Sequence, residues 1–439
     1  MCSEPEGDIA RHAAARGGSE QVARTTFRDV FAVAEFRALW LAQLLSVLGD
    51  QLVRVALTVL VYDRTRSALL AAITFVASVV PTFVGGVTLA WLADRFPRRL
   101  VMIVCDLVRC GLVLVMAIHG MPLAVLVVLL FVVTLVGAPF LSARAAVYPD
   151  VLIGDKYVMG TAVTLTTSQF AQVIGFSAGG AIVGFLGTDW ALIIDAVTFA
   201  ASALILRLWV HYRPAPKAAV TSDGAGVNDS SGSRRNGLSG AVRLVFGNPA
   251  LRIPMLFGWL AAFYDAPEGV VTPLARSMGG GPVAVGVLLG TGALGVTLGA
   301  ILFSRFVSPS SRLRWMGPLA VMNCAILACF ALQPALPAAL LIVAAAGLFS
   351  AYQLAANAAF VSAAPKEQRS QAFGLAQGGI SLGQGALMIA AGAAAEVISP
   401  AAVVAICGAA GAIAAILLAV NWSARYARGQ PSSRGVRSR

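Results

Sequence analysis

Apolar residues in this chain fill whole runs of twenty or more positions, with the polar residues gathered between them. The runs fall at roughly 36–62, 68–93, 99–118, 122–145, 157–187, 189–210, 250–275, 282–306, 313–332, 336–362, 370–397 and 400–422. Each is long enough for a helix to cross the hydrocarbon core of a bilayer, which takes about 20 residues. Barrel strands of about ten residues with polar alternation are excluded, because the alternation is absent. In lipid a helix pairs every backbone N–H and C=O within its own segment. The pattern predicts an all-α membrane protein with twelve transmembrane helices. Residues 1–35 are polar and broken by Gly, Ser and Arg, and lack the apolar core of a cleavable signal peptide. The longest polar interior stretch, 212–248, reads as a flexible linker and splits the spans six and six. The expected organisation is thus a tail over 1–35, six-helix bundles over 36–211 and 249–422, and a basic tail over 423–439.

Positive charge fixes the orientation. Both tails, the even-numbered loops and the span ends beside them (Arg37, Arg99, Arg144, Arg207, Arg252, Arg305 and Arg314) carry 27 of the 32 Lys and Arg residues. The odd-numbered loops carry only Arg64, Arg66 and Arg276, and Arg54 and Arg109 lie inside spans. Because positive loops stay in the cytoplasm, both termini are expected there, in a multi-pass protein of the cell membrane. The same placement turns the net charge of +12 into a topology signal and removes nucleic acid as a partner. With 58% apolar and 12% charged residues, against about 25% charged in soluble domains, lipid is the solvent. Asn228-Asp229-Ser230 matches a glycosylation sequon, but lies in a loop expected to be cytoplasmic.

Several motifs fail on context. Gly290-Thr291-Gly292-Ala293-Leu294-Gly295 matches a dinucleotide-binding pattern, which needs a preceding strand and a free helix N-terminus. It sits inside an apolar span instead. Gly175-Phe176-Ser177-Ala178-Gly179 matches a nucleophile elbow but has neither strand nor nearby histidine. Glycines at this spacing, with Gly175, Gly179 and Gly180 foremost, are expected to let helix backbones pack closely. The six cysteines form no C-x-x-C pair and the three histidines are far apart, so no metal site, cofactor or enzymatic centre is expected. No phosphate-binding G-x-x-x-x-G-K-[ST] loop is present, so ATP is not the direct energy source.

Ionisable residues inside spans cost about 2.5–3.5 kcal/mol each on the insertion scale and mark function or internal pairing. Asp50 and Arg54 share a face of the first helix at i,i+4 spacing, with Gln43 on the same face as Asp50. They are read either as a neutralising pair or as a proton or substrate site in a central cavity. Asp106 and Arg109 in the third helix are expected to form a structural or gating pair. Asp265 and Glu268 in the seventh lie among Pro267, Gly269 and Pro273, and broken helices beside acidic groups are where transporters build sites. They are candidates for coupling. Asp195 and Glu396 are weaker candidates. Trp259 and Tyr264 either line a cavity or pack.

These features carry a resemblance. Twelve spans in two halves, a long central loop, and Leu92-Ala93-Asp94-Arg95-Phe96-Pro97-Arg98-Arg99 resemble the major facilitator superfamily, whose loop pattern is roughly G-x-L-A-D-R-x-G-R-R. Ala90 and Pro97 stand where the two glycines would. The resemblance implies that Asp94, Arg95, Arg98 and Arg99 form a cytoplasmic charge relay that latches one state. Phe36-Arg37-Ala38-Leu39-Trp40, Ser46 to Asp50, Ser142 to Ala146 and Asp195 to Phe199 are similar to the macrolide- and enterobactin-exporter branch. In the fifth helix Phe176 replaces the proline of the antiporter pattern. The implied fold is the major facilitator fold, and the implied activity is proton-coupled export of amphipathic small molecules by a monomer in the lipid bilayer. The alternatives are an uptake permease of the same fold, or a membrane receptor or enzyme.

Overall fold

The computed structural model describes residues 26–214, 240, 242–365 and 368–429. The expected N-terminal tail up to residue 25, most of the 212–248 linker with its sequon, and the basic tail from residue 430 lie outside the described residues. Among the described residues there is no strand, and every apolar run coincides with a helix or a train of helical segments.

The first half contains α1 (Ala34–Thr65), α2 in two segments (Ala68–Ala77 and Val80–Thr88), α3 (Arg98–Met116), α4 (Leu123–Val151), α5 (Asp155–Phe185) and α6 (Thr188–Trp209). The second contains α7 in three segments (Pro249–Trp259, Ala261–Gly269 and Val271–Ser277), α8 (Pro282–Phe306) and α9 (Pro309–Leu327, then a 3-10 turn Ala328–Leu332). It continues through α10 in two segments (Leu336–Phe349 and Tyr352–Ala363), α11 (Arg369–Ala394) and α12 (Pro400–Gly429). The ends differ slightly from expectation. A short helix, Phe27–Phe31, precedes α1, because Thr26 and Asp29 close a capping box in which the Thr26 backbone N–H donates to Asp29 Oδ2 at 2.8 Å. Helix α1 begins at Ala34, and α12 runs seven residues past the expected end of its span, from 422 to Gly429.

Eight helices are long and apolar enough to cross a membrane by length and composition: α1, α2, α4, α6, α8, α9, α10 and α12. The other four fall short of that measure. Helix α3 carries Asp106 and Arg109, α5 and α11 carry glutamines, and α7 is broken. Buried chemistry is not confined to these four, since α1 carries Asp50 and Arg54 and α6 carries Asp195.

Within each half the helices pack side by side, α1 against α5 and α6 in the first and α8 against α10 in the second. The halves meet along two seams, α5 on α8 and α2 on α11. Small residues close both. A Cβ on Gly180 would run into Pro282 O and Gly286, and one on Gly392 would meet Ala72.

We call the end where α1 starts and α12 finishes the tail side. Polar bonds join the halves at the opposite, far side. Arg276 of α7 donates to Asp63 of α1 at 2.7 and 2.8 Å. Glu396, just past α11, accepts from Ser67 Oγ at 2.6 Å and from the Leu69 backbone N–H at 2.9 Å. The first turn of α2 is thus capped from the other half. Losing such a cap costs about 1 kcal/mol. Glu396→Ala is expected to speed hydrogen exchange at the Leu69 amide about fivefold, leaving the α4 amides unchanged; unaltered exchange at Leu69 would show the cap to be idle.

Candidate substrate cavity and buried charges

A cavity of ≈ 350 Å³ lies between the halves. Its polar wall comes from Arg54 of α1, Gln169 and Gln172 of α5, Asp265 and Glu268 of α7, and Gln384 of α11. Its apolar wall comes from Phe176, Leu288, Leu289, Phe330, Val343 and Met388, with Tyr264 between.

The breaks in α7 set the acidic pair. Pro267 has no N–H to give a helical partner, and the helix is interrupted at Leu260 and Val270. This isolates Ala261–Gly269 as a separate segment carrying both carboxyls three residues apart, on one face. Gly269 is needed where the segment touches the α11 backbone at Met388. Gln384 of α11 donates to Asp265 Oδ2 at 2.5 Å.

The break in α2 sets Arg54. Pro81 lacks an N–H, and the Thr82 N–H turns to Val79 O at 3.3 Å. The Ser78 carbonyl is left free and accepts from Arg54 Nη2 at 3.1 Å. The rings of Phe75 and Phe176 flank the guanidinium at 5.5 and 5.9 Å, within cation–π range. The charges that act on it are Glu268 and Asp50.

A smaller chamber of ≈ 150 Å³ lies within the first half, lined by Gln43, Ser46, Asp50, Arg54, Arg109 and Asp195 among others. Arg54 borders both spaces. Arg109 of α3 is buried, pairs with Asp50, donates to Ser46 Oγ at 3.1 Å and lies 4.0 Å from the Phe199 ring centroid. Asp106 accepts from Ser202 Oγ at 2.5 Å, and Asp195 from Thr198 Oγ1 at 3.3 Å. The second carboxyl oxygen of each is buried without a hydrogen-bond partner among the described residues. Asp195 presses against α1 at Gly49, where a Cβ would collide with its carboxyl.

Two sequence expectations on pairing are corrected. Asp50 and Arg54 share a helix face but not a bond: Asp50 reaches across to Arg109, and Arg54 turns to the carbonyl freed by the α2 break. Asp106 and Arg109 are likewise not bonded to each other, because Arg109 is drawn to the half-exposed Asp50 and Asp106 faces Ser202. Asp50→Ala would leave the Arg109 guanidinium buried without its carboxylate. We expect a loss of about 2 kcal/mol, read as earlier unfolding in detergent, and a larger loss than for Gln43→Ala.

The loop between α2 and α3 is split in its contacts. Arg98 donates to Asp150 Oδ2 and Ala146 O, both at 2.7 Å, and Arg99 donates to Arg207 O. Asp94 and Arg95 stand exposed on a short helix, Leu92–Arg95. The glycines divide by partner. Gly175 faces Gln51 and Leu48, and Gly179 faces Leu52 and Val55, all on α1, whereas Gly180 faces the other half. Gly290, Gly295 and Gly299 lie within α8 against α5 and α10, so the dinucleotide-like motif is a helix-packing stripe.

Sequence reasoning missed Gln169, Gln172 and Gln384, though isolated glutamines in apolar runs were the available signal. It also missed the Asp63–Arg276 bridge, which joins residues 213 positions apart.

A membrane protein of two helical bundles around a polar, charge-bearing cavity is of the transporter class. The sequence profile of the Major Facilitator Superfamily matches residues 39–266 and 266–438. The chain belongs to that superfamily. It is similar to macrolide efflux protein A of Streptococcus pyogenes, 22% identical over 284 residues, covering 64% of this chain and 68% of that protein. It is 26% identical to the uncharacterised MFS-type transporter YkuC of Bacillus subtilis (strain 168), over 41% of this chain and 42% of YkuC. The chain thus spans less than half the length of YkuC. In fold it is similar to a bacterial homologue of the lysosomal transporter Spinster in an inward-facing, unoccupied conformation, with a TM-score of 0.62 and 15% identity over 92% of this chain and 97% of that one. It is also similar to the POT family transporter PepTSo, with a TM-score of 0.66 and 15% identity over 91% and 99%. A point mutant of the nucleoside transporter NupG has a TM-score of 0.63 and 16% identity over 89% and 100%.

Proposed function

We propose that this protein is a proton-coupled exporter of amphipathic small molecules, acting as a monomer by alternating access in the cell membrane with both termini in the cytoplasm. The observation that carries the reading is the composition of the central cavity. Two carboxyls from one half and a guanidinium from the other share a space otherwise lined by aromatic and aliphatic side chains. Such a wall suits a cargo with a large apolar body and a polar or cationic group.

Proton coupling is supported by charge count. Lining the two chambers are four carboxyls (Asp50, Asp195, Asp265, Glu268) and two guanidiniums (Arg54, Arg109), and a fifth carboxyl, Asp106, is buried within reach of the charge of Arg109. A buried charge without a partner is strongly disfavoured. The set therefore remains buried only when some of its carboxyls hold protons. Arg54, between the chambers, feels both Glu268 and Asp50, so a proton gained or lost on one side alters its balance with the other. The far-side bonds and close glycine seams describe a state shut on the far side, from which cargo enters on the tail side.

The similarity to macrolide efflux protein A favours export. Uptake is the second reading, favoured by fold neighbours that include a peptide and a nucleoside transporter. Inside-out vesicles separate the two. On export, an imposed interior-acid gradient drives a macrolide into them and nigericin abolishes the accumulation. Accumulation indifferent to nigericin would remove the proton, and uphill movement only out of the vesicles would favour uptake.

A further inference from the structure

A basic pocket of ≈ 530 Å³ lies at the tail-side ends of α3, α4 and α6, remote from both chambers and lined by Arg98, Arg99, Asp150, His211 and Arg213 among others. Its charges are unevenly matched. Arg98 is paired with Asp150 and Arg213 with Glu35, but the bond from Arg99 goes to a backbone carbonyl, Arg207 O. One full positive charge is left without a carboxylate among the described residues. The Nε atoms of Arg98 and Arg99 are also buried and have no hydrogen-bond partner among the described residues. The pocket is net positive, with Arg99 on its wall.

The surroundings say which acceptor fits. Leu100 on α3 and Leu208, Trp209 and Tyr212 at the end of α6 are exposed beside the pocket residues. Trp and Tyr favour the membrane–water interface, with the ring against acyl chains and the polar edge at headgroup level. A basic hollow flanked by exposed apolar side chains is suited to a ligand with a phosphate and a hydrocarbon body. We propose that this pocket binds the phosphate group of an anionic phospholipid, Arg99 supplying the uncompensated charge. The inference needs only the membrane placement of the chain and stands whether or not the cavity exports anything. A phosphodiester seated there would tie together three helix ends of the first half, one of which opens at the α2–α3 loop.

The test uses the full-length protein purified in detergent, with dioleoylphosphatidylglycerol, dioleoylphosphatidylcholine and inorganic phosphate as separate probes. Native mass spectrometry counts retained lipid. Phosphatidylglycerol should be retained about tenfold more strongly than phosphatidylcholine of the same chains. Arg99→Gln should erase that preference, and Arg99→Lys, which keeps the charge but not the planar fork, should restore part of it. Equal retention of the two lipids by the unaltered protein overturns the proposal without any variant having to fold. A preference that survives Arg99→Gln overturns the site. Inorganic phosphate that raises the melting temperature as much as phosphatidylglycerol overturns the lipid as its natural source.

Discussion

Replacing Asp265 by Asn and Glu268 by Gln together abolishes proton-driven accumulation of cargo while leaving a folded, membrane-inserted protein. Both changes keep side-chain size and mimic the neutral, protonated carboxyls, so the Ala261–Gly269 segment keeps its packing against α11. The hydrogen bond from Gln384 persists, because the Asn side-chain oxygen still accepts. What disappears is the ability to release a proton. One proton crossing 100 mV supplies about 2.3 kcal/mol, enough to sustain a cargo ratio of about fiftyfold. In the double variant that ratio falls to one, while exchange of labelled for unlabelled cargo continues, since binding and rocking need no net proton movement. The single change Glu268→Gln also strips Arg54 of one of its two acting charges, and should weaken cargo binding more than Asp265→Asn. Undiminished uphill transport by the double variant would move the coupling out of this segment. The remaining candidates would then be Asp50 and the paired oxygens around Arg109.

Much of this was legible in the sequence for physical reasons. Uninterrupted apolarity specifies helices almost without reference to neighbours, so each apolar run coincides with a helix or a train of helical segments. The broken α7 was readable from Pro267, Gly269 and Pro273, because proline acts on its own helix. Pairing across helices was not readable. Asp50 and Arg54 satisfy the local spacing rule, yet each finds a better partner on another element: Arg109 of α3 for one, and a carbonyl freed by Pro81 of α2 for the other. The Asp106–Arg109 expectation fell to the same cause. Spacing along one helix reports which residues share a face, but not what stands opposite. Gln384 was overlooked because one amide in a glycine- and alanine-rich helix carries no local pattern; its meaning comes from Asp265 across the seam.

The glycines of α5 give the second large effect. Gly179 and Gly180 are adjacent in sequence but serve different contacts, the first with α1 inside its own half and the second with α8 of the other. Gly180→Val places a Cβ and two methyl groups where Pro282 O and the Gly286 backbone already lie. Both obstacles are backbone, so neither can rotate away, and the seam has to open. The far side then cannot close. Spin labels at Leu70→Cys and Ser277→Cys, exposed on opposite halves at the far side, with the six native cysteines replaced, should report a longer separation in the Gly180→Val background. Transport should fall about five- to 150-fold, since overpacking of this kind costs about 1–3 kcal/mol in the closed state. Gly179→Val obstructs only α1 and should lower the stability of the first half with the label distance unchanged. If the two substitutions gave the same result, with reduced stability and no change in distance, Gly180 would be an ordinary packing residue. The seam between α5 and α8 would then not be the surface on which the halves move.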